Sequence, residues 1–193
     1  MIFSPAQLPA PLDVQALFGH PVPRVEADLG CGKGRFLLAR AQAFPDTAFV
    51  GTDLQYGRLV RIREQARQRG LANIRLLHAE SRYVLEYLFP PASLDVLYLF
   101  FPDPWPKRRH HRRRLVQASL LPLIYRVLKP SGLWHIATDH ADYFTHIRRL
   151  LDADPRFLTV PPFVPSEAEK TDFERIFEAR GLPIYRCSVQ RTA

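Results

Sequence analysis

The sequence predicts a single α/β domain built around a mostly parallel sheet with helices on both faces. Short apolar segments alternate along the chain with amphipathic ones, and a glycine-rich loop joins the first pair. The 193 residues suffice for one domain with a full core, and 47% of them are hydrophobic while 24% are charged. Because successive parallel strands need right-handed crossovers, the alternation places helices on both faces. No apolar run is long enough to cross a membrane and no internal repeat is found, and the proline-containing N-terminus without a basic region leads us to expect no signal peptide.

The strands are predicted from short apolar segments bounded by turn residues or charges. They are expected at 25–29, 48–52, 74–78, 94–101, 133–137 and 184–190. The first 23 residues are rich in proline, so we expect an irregular lead-in with at most a short helix at 12–18, followed by the folded domain at 24–193.

The helices are predicted from apolar residues at helical spacing. They are expected at 35–43, 54–69, 81–88, 114–128, 142–151 and 172–179. The first begins at the glycine loop, the second ends at Gly70, and the fourth is followed by a turn at 129–132.

The most distinctive segment follows the fourth strand. The apolar run 96–101 stops at Pro102, Pro104 and Pro106, which alternate with Asp103 and Trp105. Proline fixes φ and removes a backbone donor, so this segment must form a stiff turn rather than extend the sheet. Ligands of open α/β sheets bind at the carboxyl ends of the strands. A carboxylate and an indole at that edge, beside a basic run, indicate a site for a base and its phosphates.

The basic charge is concentrated in one place. The net charge is +8, and residues 107–114 carry six cationic side chains. Such a dense run favours a polyanionic partner over a merely solvated face. His110 and His111 are adjacent, which is not the spacing of a helical metal pair, so we expect no metal. Cys31 and Cys187 lie in unrelated contexts, which predicts a reduced, cytoplasmic protein.

A cofactor site is predicted from glycines and acids at three strand ends. The glycines follow the G-x-G-x-G pattern, and the acids lie at the ends of the first two strands and just past the third: Gly30, Gly32, Gly34, Asp28, Asp53 and Glu80. Each acid alone could equally be a solvated or capping carboxylate. Together they suit the ammonium, ribose, adenine and sulfonium of S-adenosylmethionine, whereas they would repel the pyrophosphate of a dinucleotide.

Several motifs resemble the bacterial tRNA (guanine-N7-)-methyltransferases over residues 24–191. They are the segments 28–34, 101–110, 138–139 and 171–174, of which the Pro-Asp-Pro-Trp-Pro-Lys run is the most specific. The resemblance implies a Rossmann-like class I methyltransferase fold with an antiparallel C-terminal strand. It also implies methyl transfer from S-adenosylmethionine to N7 of a guanine in tRNA, specifically the variable-loop guanine.

The resemblance also implies residue roles. Asp28, Asp53, Glu80 and Asp103 would line the cofactor site with the three glycines, and Asp103 would be catalytic. The residues that would face the substrate are Lys107, Asp139, Thr171, Asp172, Phe173 and Glu174. Two departures stand out: the first acid is usually glutamate in this family, and the basic N-terminal arm is reduced here to Arg24.

Several alternatives stay open at this stage. Asp103 could accept from guanine or from the cofactor amine, and Trp105 could stack on a base or pack in the core. Thr171 and Glu174 also match a helix capping box. A methyltransferase for another RNA, a protein or a small molecule, or a non-catalytic RNA-binding protein on the same scaffold, are the competing functions. The arginine run argues against a methyltransferase for a small substrate, and the complete set of acids argues against a non-catalytic protein.

Overall fold

The computed structural model describes residues 1–193 and is built around one mixed sheet. The strands are β1 (Ile2–Phe3), β2 (Arg24–Leu29), β3 (Thr47–Asp53), β4 (Ile74–His78), β5 (Leu94–Phe100), β6 (Leu128–Thr138), β7 (Phe157–Val160) and β8 (Tyr185–Arg191). They lie in the order β1-β4-β3-β2-β5-β6-β8-β7. All neighbours from β1 to β6 are parallel, and β8 is antiparallel to both β6 and β7. This arrangement confirms the predicted fold class, including the antiparallel C-terminal strand.

The helices cover the sheet where the periodicity predicted, with one exception. They are α1 (Val14–Phe18), α2 (Arg35–Ala43), α3 (Tyr56–Gln68), α4 (Ser81–Tyr83) with a π-helical turn at Val84–Leu88, α5 (Leu121–Val127), α6 (Ala141–Asp152) and α7 (Asp172–Ala179). The helix predicted at 114–128 begins only at Leu121, after 3-10 turns at 108–113 and 118–120. Pro122 explains the late start, because proline fits the first turn of a helix and not its interior.

The N-terminal residues contribute a strand to the sheet and side chains to the core, which an irregular lead-in would not do. β1 pairs with β4 at the edge of the sheet. The side chains of Leu12, Val14, Phe18 and Val22 are buried in the larger hydrophobic cluster. Val14 and Phe18 lie on α1, where the sequence predicted a short helix at 12–18, whereas no pattern predicted the burial of Val22 between two prolines.

Two further features of the C-terminal half differ from the pattern-based expectations. The turn predicted at 129–132 is a bulge inside β6, because Leu128 pairs with Leu94 and Leu133 already pairs with Val96. The edge strand β7 has too few residues for its alternation to be recognisable, and pairing with β8 stabilises it. No helix has the length and apolar character needed to cross a bilayer.

Candidate active site

The glycine loop lies at the carboxyl edge of the sheet, between β2 and α2. Gly30, Gly32 and Gly34 all adopt left-handed backbone conformations, with φ of 71°, 57° and 78°. A Cβ at Gly34 would lie 2.5 Å from Cγ1 of Ile62 on α3, so only glycine lets the loop pack this close to that helix. The loop therefore exposes its backbone to a ligand while its far side is fixed against the core.

Asp53, at the end of β3, holds this loop in place. Its Oδ2 accepts a hydrogen bond from the Gly32 amide at 3.0 Å, and its Oδ1 accepts one from the Gln55 amide at 2.7 Å. The guanidinium of Arg58 approaches Oδ2 at 3.5 Å. Because a carboxylate can accept about four hydrogen bonds, Asp53 retains capacity for the hydroxyls of a ribose. The residue thus combines a loop-bracing contact with the predicted binding role.

Asp28, near the end of β2, is a buried acid that lacks a partner. Its side chain is 4% exposed and receives no hydrogen bond from any protein group. Burial, reinforced by the Asp53 carboxylate, raises the pKa of Asp28 to about 7. A buried carboxylate without a partner is the group that a bound cation would stabilise, so this position fits a sulfonium or an ammonium.

One pocket unites the predicted cofactor loop with part of the predicted substrate segment. It is a cavity of about 80 Å³ between the glycine loop, the end of β5 and the start of α7. Its lining includes predicted residues of both kinds: Asp28, Gly30, Gly32, Gly34, Thr171, Asp172 and Phe173. Residues 34 and 171 are far apart in sequence, and the fold brings them to one cavity.

Not all predicted site residues line this pocket; those outside its lining are Asp53, Glu80, Asp103, Lys107, Asp139 and Glu174. Glu80 is exposed and accepts from the Tyr83 amide at 2.9 Å, so it caps α4. Glu174 is buried and forms an ion pair with Arg186 of β8. Thr171 caps α7 by accepting from the Glu174 amide at 3.0 Å. The capping box suspected from the sequence is thus half formed, because the Glu174 carboxylate bonds to Arg186 instead of the backbone.

The Asp103 turn projects beyond the end of β5. Asp103 is exposed and accepts no hydrogen bond, so its carboxylate is free to meet a ligand. Trp105 is half-buried, with its ring centroid 5.8 Å from that of His110 and the Arg113 guanidinium 5.0 Å above it. The indole therefore packs on its own basic segment and does not enter the main core. Lys107 is exposed, and Asp139, directly after β6, is half-buried.

The arginine run divides into two groups. Lys107, Arg108, Arg109, Arg112 and Arg113 are exposed and form no ion pair with an acid. Arg114 is 3% exposed and is bonded within the protein, which corrects the expectation that the whole run contacts phosphates.

Sequence reasoning missed several residues around the pocket. Phe100, Phe101, Ile176, Arg35 and Arg58 contribute to its lining. Arg35 also donates from Nε to the Lys170 carbonyl at 3.0 Å, which ties α2 to the segment before α7. These partners are 135 positions apart, so no local pattern carried a signal. For Phe100 and Phe101, their place at the end of a buried strand was such a signal.

The elevated pKa of Asp28 predicts that cofactor binding depends on pH. A raised pKa means that the folded protein without ligand holds a proton that a cationic ligand would displace. Affinity for S-adenosylmethionine should therefore rise as pH increases towards 7, by up to about tenfold per pH unit well below the pKa. Calorimetric titrations between pH 5.5 and 7 measure this, with Asp28→Asn as the control that should be independent of pH. A wild-type affinity that is constant over this range would contradict the prediction.

Comparisons with known proteins agree with this geometry. Residues 23–187 match the family model described as "Putative methyltransferase". The tRNA (guanine-N(7)-)-methyltransferase of Nitrosococcus oceani is 38% identical over 89% of this chain and 71% of its own length. That of Leifsonia xyli subsp. xyli is 39% identical over 90% of this chain and 78% of its own.

Solved structures share the fold at lower identity. The 16S rRNA methyltransferase KamB superimposes with a TM-score of 0.64 at 17% identity, and 88% of each chain is covered. The fold is thus that of the class I methyltransferases. With the two relatives above, this shows that the chain belongs to the tRNA (guanine-N7-)-methyltransferase family and is an S-adenosylmethionine-dependent methyltransferase.

Proposed function

We propose that this protein methylates N7 of a guanine in tRNA, and that the target is the variable-loop guanine. The observation that carries the proposal is the single pocket where the glycine loop and the unpartnered Asp28 meet residues 171–173 of α7. The glycine loop and the predicted substrate segment therefore border one opening at the carboxyl edge of the sheet, where a cationic cofactor and a base would adjoin. The family supports the choice of tRNA and of N7.

The chemistry requires positioning more than acid–base catalysis. S-adenosylmethionine supplies an electrophilic methyl group on a sulfonium. Guanine N7 already carries a lone pair, so no residue has to remove a proton before it attacks. Holding the two reactants in line can lower the barrier by roughly 7–11 kcal/mol. In this proposal Asp28 and Asp53 orient the cofactor, and residues 171–173 position the base.

Asp103 is assigned the catalytic role because its carboxylate is free at the edge of the site. It would accept from the N1–H and N2 amino edge of guanine or from the cofactor amine. Methylation of N7 leaves a positive charge on the purine ring, which a carboxylate beside the base would stabilise as it develops. The site therefore needs no nucleophilic side chain.

The substrate itself provides the direct test. Purified protein is incubated with labelled S-adenosylmethionine and unmodified tRNA, and the nucleosides are then separated. We expect labelled 7-methylguanosine, and its loss when the variable-loop guanine is replaced by adenine. Label in another nucleoside or no label would refute the proposed reaction, and 7-methylguanosine formed in the altered tRNA would refute the proposed position.

The exposed arginines are expected to hold the tRNA backbone. Replacing Arg112 and Arg113 by glutamine should weaken tRNA binding and leave cofactor affinity unchanged, because neither residue lines the pocket. Each lost phosphate contact should reduce the slope of log affinity against log salt by roughly 0.7–0.9. Binding titrations at several salt concentrations measure the slope, with Arg63→Gln as the control because that arginine pairs with Glu64 on α3. An unchanged slope would show that the two arginines make no phosphate contacts.

We also propose that residues 24–193 form the methyltransferase domain and that it acts in the bacterial cytoplasm. Both named relatives are bacterial enzymes whose names specify tRNA as the substrate. The acids and glycines that the proposal uses all follow residue 24.

A further inference from the structure

We propose that Arg114 is a positioning residue that holds the Asp103 turn in its active shape. The inference rests on the proposed function, in which the Asp103 carboxylate meets the base or the cofactor. It assigns to one arginine of the basic run a role different from phosphate binding.

The turn has almost no hydrogen bonds of its own. Three of the five residues 102–106 are prolines, which have no amide to donate. Phe101 and Trp105, at the two ends of the turn, adopt left-handed conformations with φ of 53° and 43°, which are unfavourable for aromatic residues. A single hydrogen bond joins residues 102–106 to the rest of the chain, and Arg114 Nε donates it to the Pro104 carbonyl at 2.8 Å.

Arg114 is itself fixed from the other side. Its Nη2 donates to Asp142 Oδ2 at 2.6 Å and lies 3.0 Å from Nε2 of His111. The guanidinium is 4.8 Å from the centroid of the Tyr143 ring, and the Tyr143 hydroxyl accepts from the Val116 amide at 2.9 Å. Nε and Nη2 are thus both bonded within the protein, and because Arg114 is buried, little of its guanidinium is accessible to RNA.

This geometry connects two parts of the candidate site. Asp142 lies in the first turn of α6, three residues after Asp139, which was predicted to face the substrate. Arg114 therefore joins the Asp103 turn to the helix that follows β6. Only a guanidinium can serve both ends, because its planar fork donates to a carbonyl and to a carboxylate at once. A lysine ammonium keeps the charge, but it is a compact point charge without the planar fork of donors.

The test uses Arg114→Lys with Arg149→Lys as a matched control, since Arg149 is an exposed arginine of α6 to which no role is assigned. Steady-state methylation of tRNA gives kcat and KM for each variant. We expect Arg114→Lys to lower kcat on the order of 10- to 100-fold, with KM for tRNA nearly unchanged, because a displaced catalytic group slows the reacting complex. Arg149→Lys should keep the wild-type kcat.

A second measurement reports on the turn itself. The chain has two tryptophans, and Trp134 is fully buried, so acrylamide quenches mainly the half-buried Trp105 within the turn. Quenching should increase in Arg114→Lys and not in Arg149→Lys. Should Arg114→Lys fail to fold, Asp142→Asn weakens the outer contact of Arg114 at an exposed residue and should give smaller changes in the same direction.

Three outcomes would overturn the proposal. One is a raised KM with wild-type kcat, which identifies a phosphate contact, and another is no change in either constant. The third is a reduced kcat without any change in Trp105 quenching, which shows that Arg114 acts elsewhere. Failure of the proposed function is recognised separately, because the wild-type protein would then form no 7-methylguanosine.

Discussion

Replacing Asp103 by alanine is expected to abolish most methyl transfer while the fold stays intact. The residue is exposed on the turn after β5 and makes no hydrogen bond within the protein, so its removal leaves no buried group unsatisfied. Its carboxylate would be lost where the proposed reaction develops positive charge. The expected loss is on the order of 10²- to 10³-fold in kcat, the range typical for removal of one electrostatic contact to a transition state.

Single-turnover methylation of tRNA by the variant measures this effect. Thermal unfolding should show a midpoint close to that of the wild type, which separates catalysis from stability. Asp103→Asn keeps an acceptor oxygen without the charge, so its activity should lie between that of the wild type and that of Asp103→Ala. Activity of Asp103→Ala within about threefold of the wild type, a change in activation free energy below roughly 1 kcal/mol, would remove Asp103 from the mechanism.

Replacing Asp53 by alanine is expected to cause the second large loss, in affinity for the cofactor. Two charge-assisted hydrogen bonds to the ribose would disappear, each worth about 1.5–3 kcal/mol. The structure adds a second cause, since the Gly32 amide loses its acceptor and the glycine loop loses a brace. Affinity for tRNA should change little, because Asp53 is 7% exposed and lies apart from the basic run in sequence.

Calorimetry with S-adenosylmethionine tests this expectation directly. Asp46→Ala is a matched control, because Asp46 is an exposed aspartate at the opposite end of the same strand. The control should bind the cofactor as the wild type does. An unchanged dissociation constant for Asp53→Ala would exclude this carboxylate from the cofactor site.

Local patterns were sufficient for most of the fold. The bounds predicted for α2, β4 and α7 coincide with those in the structure, because each segment has its own periodicity and a clear boundary. The predicted helix at 114–128 was wrong at its start, since its apolar spacing continues through a stretch that tertiary contacts hold in 3-10 turns. The edge strands β1 and β7 were missed because their stability comes from pairing with β4 and β8.

The sequence by itself determined the fold class, the glycine loop, and the acids at the ends of β2 and β3. Spacing along the chain was sufficient, because it dictates which side chains reach the same edge of a parallel sheet. The sequence also determined the stiff turn that carries Asp103, since proline restricts the backbone whatever surrounds it.

Only the tertiary structure decided how individual charges are used. Arg114 and Arg113 look alike in sequence, but one is buried between Pro104 and Asp142 while the other is exposed. Likewise Glu174 pairs with Arg186, and Asp28 is left without a partner. The reason is physical: burial and ion pairing depend on neighbours that are distant in the chain, so they exist only once the sheet and its helices have assembled.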